Sequence, residues 1–316
     1  MTYPSCVVVI PCWNAEKWIA RSIRSTLEQG YPNLEIIVID DGSTDNSLSV
    51  IRSFGDRIRW ETGPNCGAAA ARNRGLALTK ADYVVFLDAD DWLEDRYLTN
   101  ALYRASSKPD LILTSFVLEE VTSKRKHFAF PPQSPGGLPL LKEWLVGPNP
   151  CTSSMIFARQ FISSIGGWRE DLRVQDDFEL GLRALAATPK IEKAPDAIAI
   201  YFQPDSSCRV SLRTDSASWC TFLDLLDSHA AWIRSYRCRE VCHAYGVWYY
   251  RTARKLYQAG DACNGGRALR SAREFGVSGH IGPLKDRLLS TILGLRLREE
   301  AGRVKRALRS WRQNTS

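Results

Sequence analysis

What the 316-residue sequence has little of narrows its reading first. Its longest apolar runs, Val7–Ile10, Tyr83–Leu87 and Leu288–Leu295, fall far short of the roughly 20 residues that a bilayer-spanning helix needs. No basic segment followed by an apolar stretch opens the chain, so no secretory leader is expected. These two absences predict a cytoplasmic protein, or one held peripherally on the inner face of a membrane. No G-x-G-x-x-G follows the first apolar run, which argues against a dehydrogenase. No repeat of fixed period is visible, which argues against a solenoid. The nine cysteines are odd in number and follow no tight framework, and there are only four histidines. Cys238, Cys242 and His243 form the one metal-like group, but four ligands at a recognised spacing are missing, so ordinary helix residues are expected there.

What is present is ordinary for a globular chain: 44% hydrophobic and 24% charged residues, at a length that suits one large domain or two smaller ones. The formal charge of +7 is uneven. From Ile281 to Ser316 nine basic residues face three acids, so the tail carries about +6 and the body is nearly neutral. A basic stripe with interleaved aromatics in the body is missing, and nucleic acid is not an expected partner. The tail, with Leu288, Leu289, Ile292, Leu295, Leu297 and Trp311 among its arginines, reads equally as an amphipathic segment suited to an anionic membrane surface and as a helical subdomain whose leucines pack on the body and whose arginines are solvated.

The periodicity alternates between strand and helix. Cys6–Ile10 reads as a buried strand. Ala15–Gln29, with Ile19, Ile23 and Leu27 on one face, reads as a helix for which Asn14 is a candidate N-cap. Glu35–Ile39, Ile58–Trp60 and Tyr83–Leu87 read as further strands, with helices after Asp41-Gly42-Ser43-Thr44 and over Ala68–Leu78. That alternation predicts a parallel sheet covered by helices on both faces, with ligands at the carboxyl edge of its strands. Later, Leu111–Val117 and Ala197–Phe202 read as strands, Leu140–Val146, Arg159–Ile165 and Asp176–Ala187 as helices, Pro131–Pro139 as a loop, and everything after Ser216 as helix.

Three acidic groups fall where chemistry is expected: Asp40-Asp41, Asp88-Ala89-Asp90-Asp91 and Asp176-Asp177. Acids directly after strands also serve as turn formers and helix caps. Three carboxylates in four positions after an apolar strand are harder to explain that way. Crowded carboxylates need a compensating cation, and their hard oxygens suit Mg²⁺ or Mn²⁺.

Taken in order, five segments resemble a known family. Val8-Val9-Ile10-Pro11-Cys12-Trp13-Asn14 is similar to its opening strand and nucleotide loop, and Ile37-Val38-Ile39-Asp40-Asp41-Gly42-Ser43-Thr44-Asp45 to its second signature. Gly67-Ala68-Ala69-Ala70-Ala71-Arg72-Asn73-Arg74-Gly75 resembles the third, Phe86-Leu87-Asp88-Ala89-Asp90-Asp91 the metal motif, and Gly166-Gly167-Trp168 followed by Asp176-Asp177-Phe178-Glu179-Leu180-Gly181-Leu182-Arg183 the acceptor-side signature. The family is the family 2 glycosyltransferases of GT-A fold, and the resemblance covers roughly residues 5–205. It implies a Rossmann-like, mainly parallel sheet flanked by helices over 1–215 (nucleotide-binding half 1–105, acceptor-side half 106–215), with a helical extension over 216–316. It implies a nucleotide-diphosphate sugar donor, with a UDP-sugar first, a divalent metal (Mn²⁺ or Mg²⁺), a glycan or lipid-linked acceptor, and inversion at the anomeric carbon. By position, Pro11, Asn14 and Asp41 would line the nucleoside pocket, with Asp40 competing with Asp41 for the base. Asp88 would face the ribose or the metal's water shell, and Asp90 would ligate the metal with Asp91 as its rival. Arg72 would pair with the acidic cluster or a phosphate; an ordinary solvated helix cation is the alternative. Asp177 would be the general base, at a helix start whose dipole favours its charged form, with Asp176 as a helix cap and Glu179 paired to Arg183.

Pro204–Arg213 is polar, and Arg209 or Arg213 there is a candidate to meet the donor diphosphate from a mobile loop. Two other functions stay in view. A sugar-nucleotide pyrophosphorylase would need a basic, glycine-rich phosphate loop where Pro11-Cys12-Trp13-Asn14 stands. A non-catalytic sugar-nucleotide-binding or glycan-binding protein would have no need of Asp88, Asp90 and Asp177 together.

Overall fold

The computed structural model describes residues 3–120, 125–147, 150–203, 215–279, 281 and 295–299. Arg209 and Arg213 lie outside the described residues, as does the basic tail apart from 281 and 295–299. The described residues fall into two compact units, one drawn from 1–171 and 176–206, the other from 172–175 and 207–316.

In the first unit β1 (Cys6–Cys12) is buried along its whole length, as its unbroken apolar run requires of a central strand. After it come α1 (Ile19–Leu27), β2 (Leu34–Asp40), α2 (Ser47–Arg52), β3 (Arg59–Thr62), α3 (Ala68–Leu78) and β4 (Tyr83–Phe86). These four strands pair in parallel in the order β3-β2-β1-β4. The alanine-rich face of α3 lets it approach β1 closely. A Cβ on Gly75 would stand 2.2 Å from Val9 Cγ1.

The remaining elements are β5 (Trp92–Leu93), α4 (Tyr97–Leu102), β6 (Leu111–Glu120), β7 (Arg125–Ala129), α5 (Gly137–Val146), β8 (Met155–Ala158), α6 (Arg159–Ser164), α7 (Asp176–Ala186) and β9 (Ile191–Gln203). The sheet continues β4-β8-β6-β9-β5, with β7 on the outer part of β6. β8 runs antiparallel to both β4 and β6, so β6 and its parallel partner β9 share the direction of β1–β4. Six of the nine strands therefore point the same way, and their carboxyl ends share one edge. Pro195 is accommodated in β9 at a bulge opposite Thr114/Ser115, where its carbonyl accepts from Ser115 Oγ at 2.8 Å.

Several local expectations shift. Helix α1 begins at Ile19, and Asn14 is not its cap: it adopts a left-handed φ of +50° in the loop after β1. The short strands β5, β7 and β8 and helix α4 were not legible in the pattern. Two to six residues carry too little periodicity, and β8 is set by the partners that flank it.

The second unit contains α8 (Ser216–Ser235), α9 (Arg239–Ala259) and α10 (Ala262–Glu274). Asp215 and Asp261 cap α8 and α10 by accepting from Ser218 and Asn264 backbone N–H groups. Tyr245 and Tyr249 pack on Phe275 at 5.4 and 5.5 Å. Cys238 precedes α9 and His243 Nδ1 lies 3.1 Å from the Gly276 carbonyl. Of the tail, Leu295 is buried and Leu297 exposed, and Glu299 accepts from Arg254 Nε and Gln258 Nε2, each at 2.7 Å. Among the described residues no helix is long and apolar enough to cross a membrane.

Candidate active site

The carboxyl edge of the sheet is built from the loops after β1, β2 and β4. The first two are stitched together. Asn14 N donates to Ser43 Oγ at 3.0 Å, and its side-chain oxygen accepts from the Thr44 amide at 2.8 Å. Pro11, the penultimate residue of β1, is buried opposite Ile39. Asp40 and Asp41 are both buried but serve different loops. Asp40 accepts from Thr62 Oγ1 at 2.6 Å and from Ser43 N at 3.3 Å. Asp41 accepts from Cys66 N at 2.9 Å and Gly67 N at 2.7 Å, one on each oxygen. It thereby fixes the entry of α3, where Gly67 takes a φ of +97°. Gly42 is required between these loops: its φ is +73°, and a Cβ would meet Asn65 N at 2.9 Å. Each Asp41 oxygen keeps a second lone pair for a ligand donor.

The acidic loop after β4 is held by one face of α1, continued by Gln29 just past its end, that the apolar pattern did not reveal. Ser22 Oγ donates to the Asp88 carbonyl (3.3 Å), Arg21 Nη2 to the Asp90 carbonyl (2.9 Å) and Gln29 Nε2 to the Glu94 carbonyl (2.9 Å). Ser25 Oγ accepts from Leu93 N at 3.2 Å, and Gln29 Oε1 from Leu98 N at 3.1 Å. Ser22, Ser25 and Gln29 are buried. Their spacing of three and four was the available signal, a polar ridge beside the apolar one.

Within that loop the carboxylates diverge. Asp88 and Asp90 are half-buried, whereas Asp91 is only 1% exposed and accepts from Phe202 N at 2.9 Å. Burial, with Asp90 and Asp88 close by, pushes the Asp91 carboxyl well above the usual range. Asp91 thus ties the loop to the end of β9 through one oxygen, while its Oδ2 is buried without a hydrogen-bond partner among the described residues.

Arg72 is no solvated helix cation. It is 4% exposed and lies between two carboxylates, with Nη2 2.6 Å from Asp88 Oδ1 and Nη1 2.8 Å from Asp176 Oδ2. Its guanidinium stacks over Trp168 at 4.3 Å. Burial alone would lower its pKa, but Asp88 and Asp176 outweigh it and raise it. Its neighbour Asn73 clamps the Gly166-Gly167-Trp168 turn. Asn73 Nδ2 donates to the Trp168 carbonyl and Asn73 Oδ1 accepts from Trp168 N, both at 2.9 Å. Gly166 and Gly167 have φ of +89° and +66°, and a Cβ on Gly167 would stand 2.7 Å from Asn73 Oδ1. Two motifs far apart in sequence are therefore two halves of one device that seats Trp168 under Arg72.

Asp177 follows Asp176 in the first turn of α7. Burial, followed by the charge of Asp176, pushes its carboxyl up to about 7, against the lowering effects of Phe178 N–H and Arg72. A helix N-terminus favours the charged form by about 0.3–2 kcal/mol, and burial together with Asp176 acts against it here. Asp177 is half-buried, whereas Glu179 is buried and held by Arg183 at 2.7 and 2.6 Å, and Arg183 reaches the Ile165 carbonyl as well. Opposite, Gly181 makes room for Trp144, whose ring would lie 1.7 Å from a Cβ there.

The donor set is all carboxylate oxygen, which suits a hard divalent cation. Among the described residues no group of three or more ligating side chains converges on one point. An ion held by one or two of these carboxylates would complete its coordination with ligand phosphates and water, as Mg²⁺ and Mn²⁺ do.

Known proteins bear on this site. The model for glycosyl transferase family 2 matches residues 7–165, half of the chain. That range holds the first four signatures and stops just before Gly166-Gly167-Trp168. An uncharacterized glycosyltransferase of Haemophilus influenzae is 41% identical over 106 residues, 32% of this chain and 42% of that protein. The putative glycosyltransferase EpsH of Bacillus subtilis is 29% identical over 122 residues, 38% of this chain and 36% of that protein. The chain thus spans less than half the length of these relatives. In fold it is similar to Staphylococcus aureus TarS 1–349 in complex with UDP-GlcNAc (TM-score 0.58, 17% identity, 85% of this chain and 92% of that one). It is also similar to the mannosyltransferase PcManGT of Pyrobaculum calidifontis in complex with GDP-Man and Mn²⁺ (TM-score 0.55, 17% identity, 97% and 85%). With its signatures gathered at one edge of a mixed sheet of GT-A type, the chain belongs to the family 2 glycosyltransferases.

Proposed function

We propose that this chain, through a catalytic domain over 1–215, transfers a sugar with inversion from a nucleotide-diphosphate donor to a hydroxyl of a glycan or lipid-linked acceptor. The observation that carries this reading is the Arg72 bridge. One buried guanidinium joins Asp88 of the acidic loop to Asp176 of α7. Asp177, the carboxylate suited to an acceptor hydroxyl, directly follows Asp176, so the bridge keeps the start of α7 beside the acidic loop. The UDP-GlcNAc in the TarS structure and the GDP-Man and Mn²⁺ in the PcManGT structure support a donor of that class, and a UDP-sugar is the first choice.

In this reading Pro11, Asn14 and Asp41 line the nucleoside pocket, with Asp40 bracing it. Asp90, with Asp88 beside it, would hold Mn²⁺ or Mg²⁺, and Arg209 and Arg213, outside the described residues, are the candidates to meet the diphosphate. The cation, when bound, supplies the electrostatic stabilisation of the departing nucleoside diphosphate. Asp177 takes the proton of the acceptor hydroxyl as its oxygen bonds to the anomeric carbon. The bond from that carbon to the diphosphate oxygen breaks with its electron pair leaving on the phosphate, so one displacement inverts the centre. A carboxyl pushed up to about 7 suits a base at neutral pH. A glycan built on a lipid carrier would explain the basic tail as a contact with an anionic membrane.

Thermal stabilisation by nucleoside diphosphates, with and without Mn²⁺, tests this. The expected result is a Mn²⁺-dependent rise in Tm with one nucleotide, lost in Asp90→Ala. No rise with any nucleotide would refute the donor site and favour a non-catalytic glycan-binding protein.

A further inference from the structure

We propose that Arg21 is a positioning residue for the acidic loop, fixing Asp90 from beneath while tying the loop to the end of β9. The proposal rests on the donor-site reading of that loop. Arg21 projects from α1 into a cage of three rings, lying 3.7 Å from the centroid of Trp92, 4.4 Å from Phe202 and 5.5 Å from Trp18. The rings touch one another: Phe202 is 5.0 Å from Trp18 and 5.7 Å from Trp92. From this cage Nη2 donates to the Asp90 carbonyl at 2.9 Å. The loop and β9 are also joined by Phe202 N to Asp91 at 2.9 Å and Glu94 N to the Ile198 carbonyl at 3.0 Å. Arg21 thus sits where α1, the acidic loop and β9 meet.

Stability alone does not account for an arginine here. Its Nε is buried without a hydrogen-bond partner among the described residues. Burial lowers its pKa, opposed by Asp91, Glu119 and Asp90. An apolar side chain would fill the cage with less desolvation. What the guanidinium adds is a planar cation that stacks on Trp92 and grips the backbone of Asp90 at the same time. Lysine cannot do both, because its ammonium is a point charge without a face.

The test is Arg21→Lys in the full chain. Without ligand, hydrogen exchange in the segments 88–94 and 198–203 should quicken by about tenfold or more, while 6–12 stays as in the wild type. In parallel, the Mn²⁺ concentration for half-maximal UDP binding should rise by about tenfold, with turnover at saturating Mn²⁺ within about twofold of wild type. Should Arg21→Lys fail to fold, Trp92→Phe, which keeps an aromatic face of smaller area, should show the same pattern to a lesser degree. Wild-type exchange in both segments, or unchanged Mn²⁺ dependence in a wild-type protein that binds UDP, would overturn the proposal. If the wild type binds no nucleotide, the proposed function fails, and the exchange result alone decides the role of Arg21.

Discussion

Replacing Arg72 by methionine should leave two carboxylates facing each other without their shared cation. Arg72→Met keeps an unbranched apolar stem and removes the guanidinium, so the perturbation is largely electrostatic. Breaking a fully buried ion pair by removing one partner costs about 3–5 kcal/mol. Here the arginine side chain is 5% exposed, but Asp88 and Asp176 are 30% and 26% exposed. Water therefore screens the orphaned acids and reduces that cost to about 2–3 kcal/mol. Loss of the stack on Trp168, 4.3 Å away, adds about 1 kcal/mol. The expected destabilisation is about 3–4 kcal/mol, read as a lower urea midpoint in the tryptophan-fluorescence transition. Adding Asp176→Asn should restore part of it, because the second variant removes one of the two repelling charges. A coupling of about 1–2 kcal/mol between the two substitutions is expected. A midpoint for Arg72→Met that matches the wild type, or additive effects of the two changes, would refute the bridge as a structural element.

Four further outcomes follow from the geometry. Asp177→Asn should retain nucleotide binding while turnover falls by about 10²–10⁴; near-normal turnover would dismiss it as the base. With the Asp177 carboxyl pushed up to about 7, activity should rise as pH increases through that value, because only the deprotonated form accepts the acceptor's proton. A flat profile between pH 6 and 8 would contradict this. The same raised pKa implies a folding penalty that is absent below the ordinary carboxyl pKa and complete above about 7, so Asp177→Asn should raise Tm more at pH 8 than at pH 5. Gly181→Ala places a methyl 1.7 Å from the Trp144 ring and should cost about 1–3 kcal/mol or more, seen as a clear fall in Tm.

The strand–helix alternation up to residue 87 was legible because those elements are long or uniformly apolar. Helix α3 over Ala68–Leu78 agrees with its sequence-predicted bounds. β5, β7 and β8 were not, since a two-residue strand such as Trp92–Leu93 owes its conformation to its partner Ile200 and Ala199 on β9. Of the candidate residues, Asp40, Asp41, Asp88, Asp90 and Asp177 could be picked out from their place after strands or before a helix. Arg209 and Arg213 lie outside the described residues.

By itself, the sequence determined the class of sheet, the edge at which chemistry gathers, and the family, because these depend on local periodicity and on short runs of fixed spacing. Which partners each carboxylate meets depends on the tertiary structure. Asp91 turns inward to Phe202, Asp41 is committed to the entry of α3, and Arg72 is buried between Asp88 and Asp176. Tertiary structure also decided that burial and Asp176 outweigh the helix end at Asp177. Desolvation and charge pairing depend on which segments meet in space, and spacing along the chain carries no measure of either.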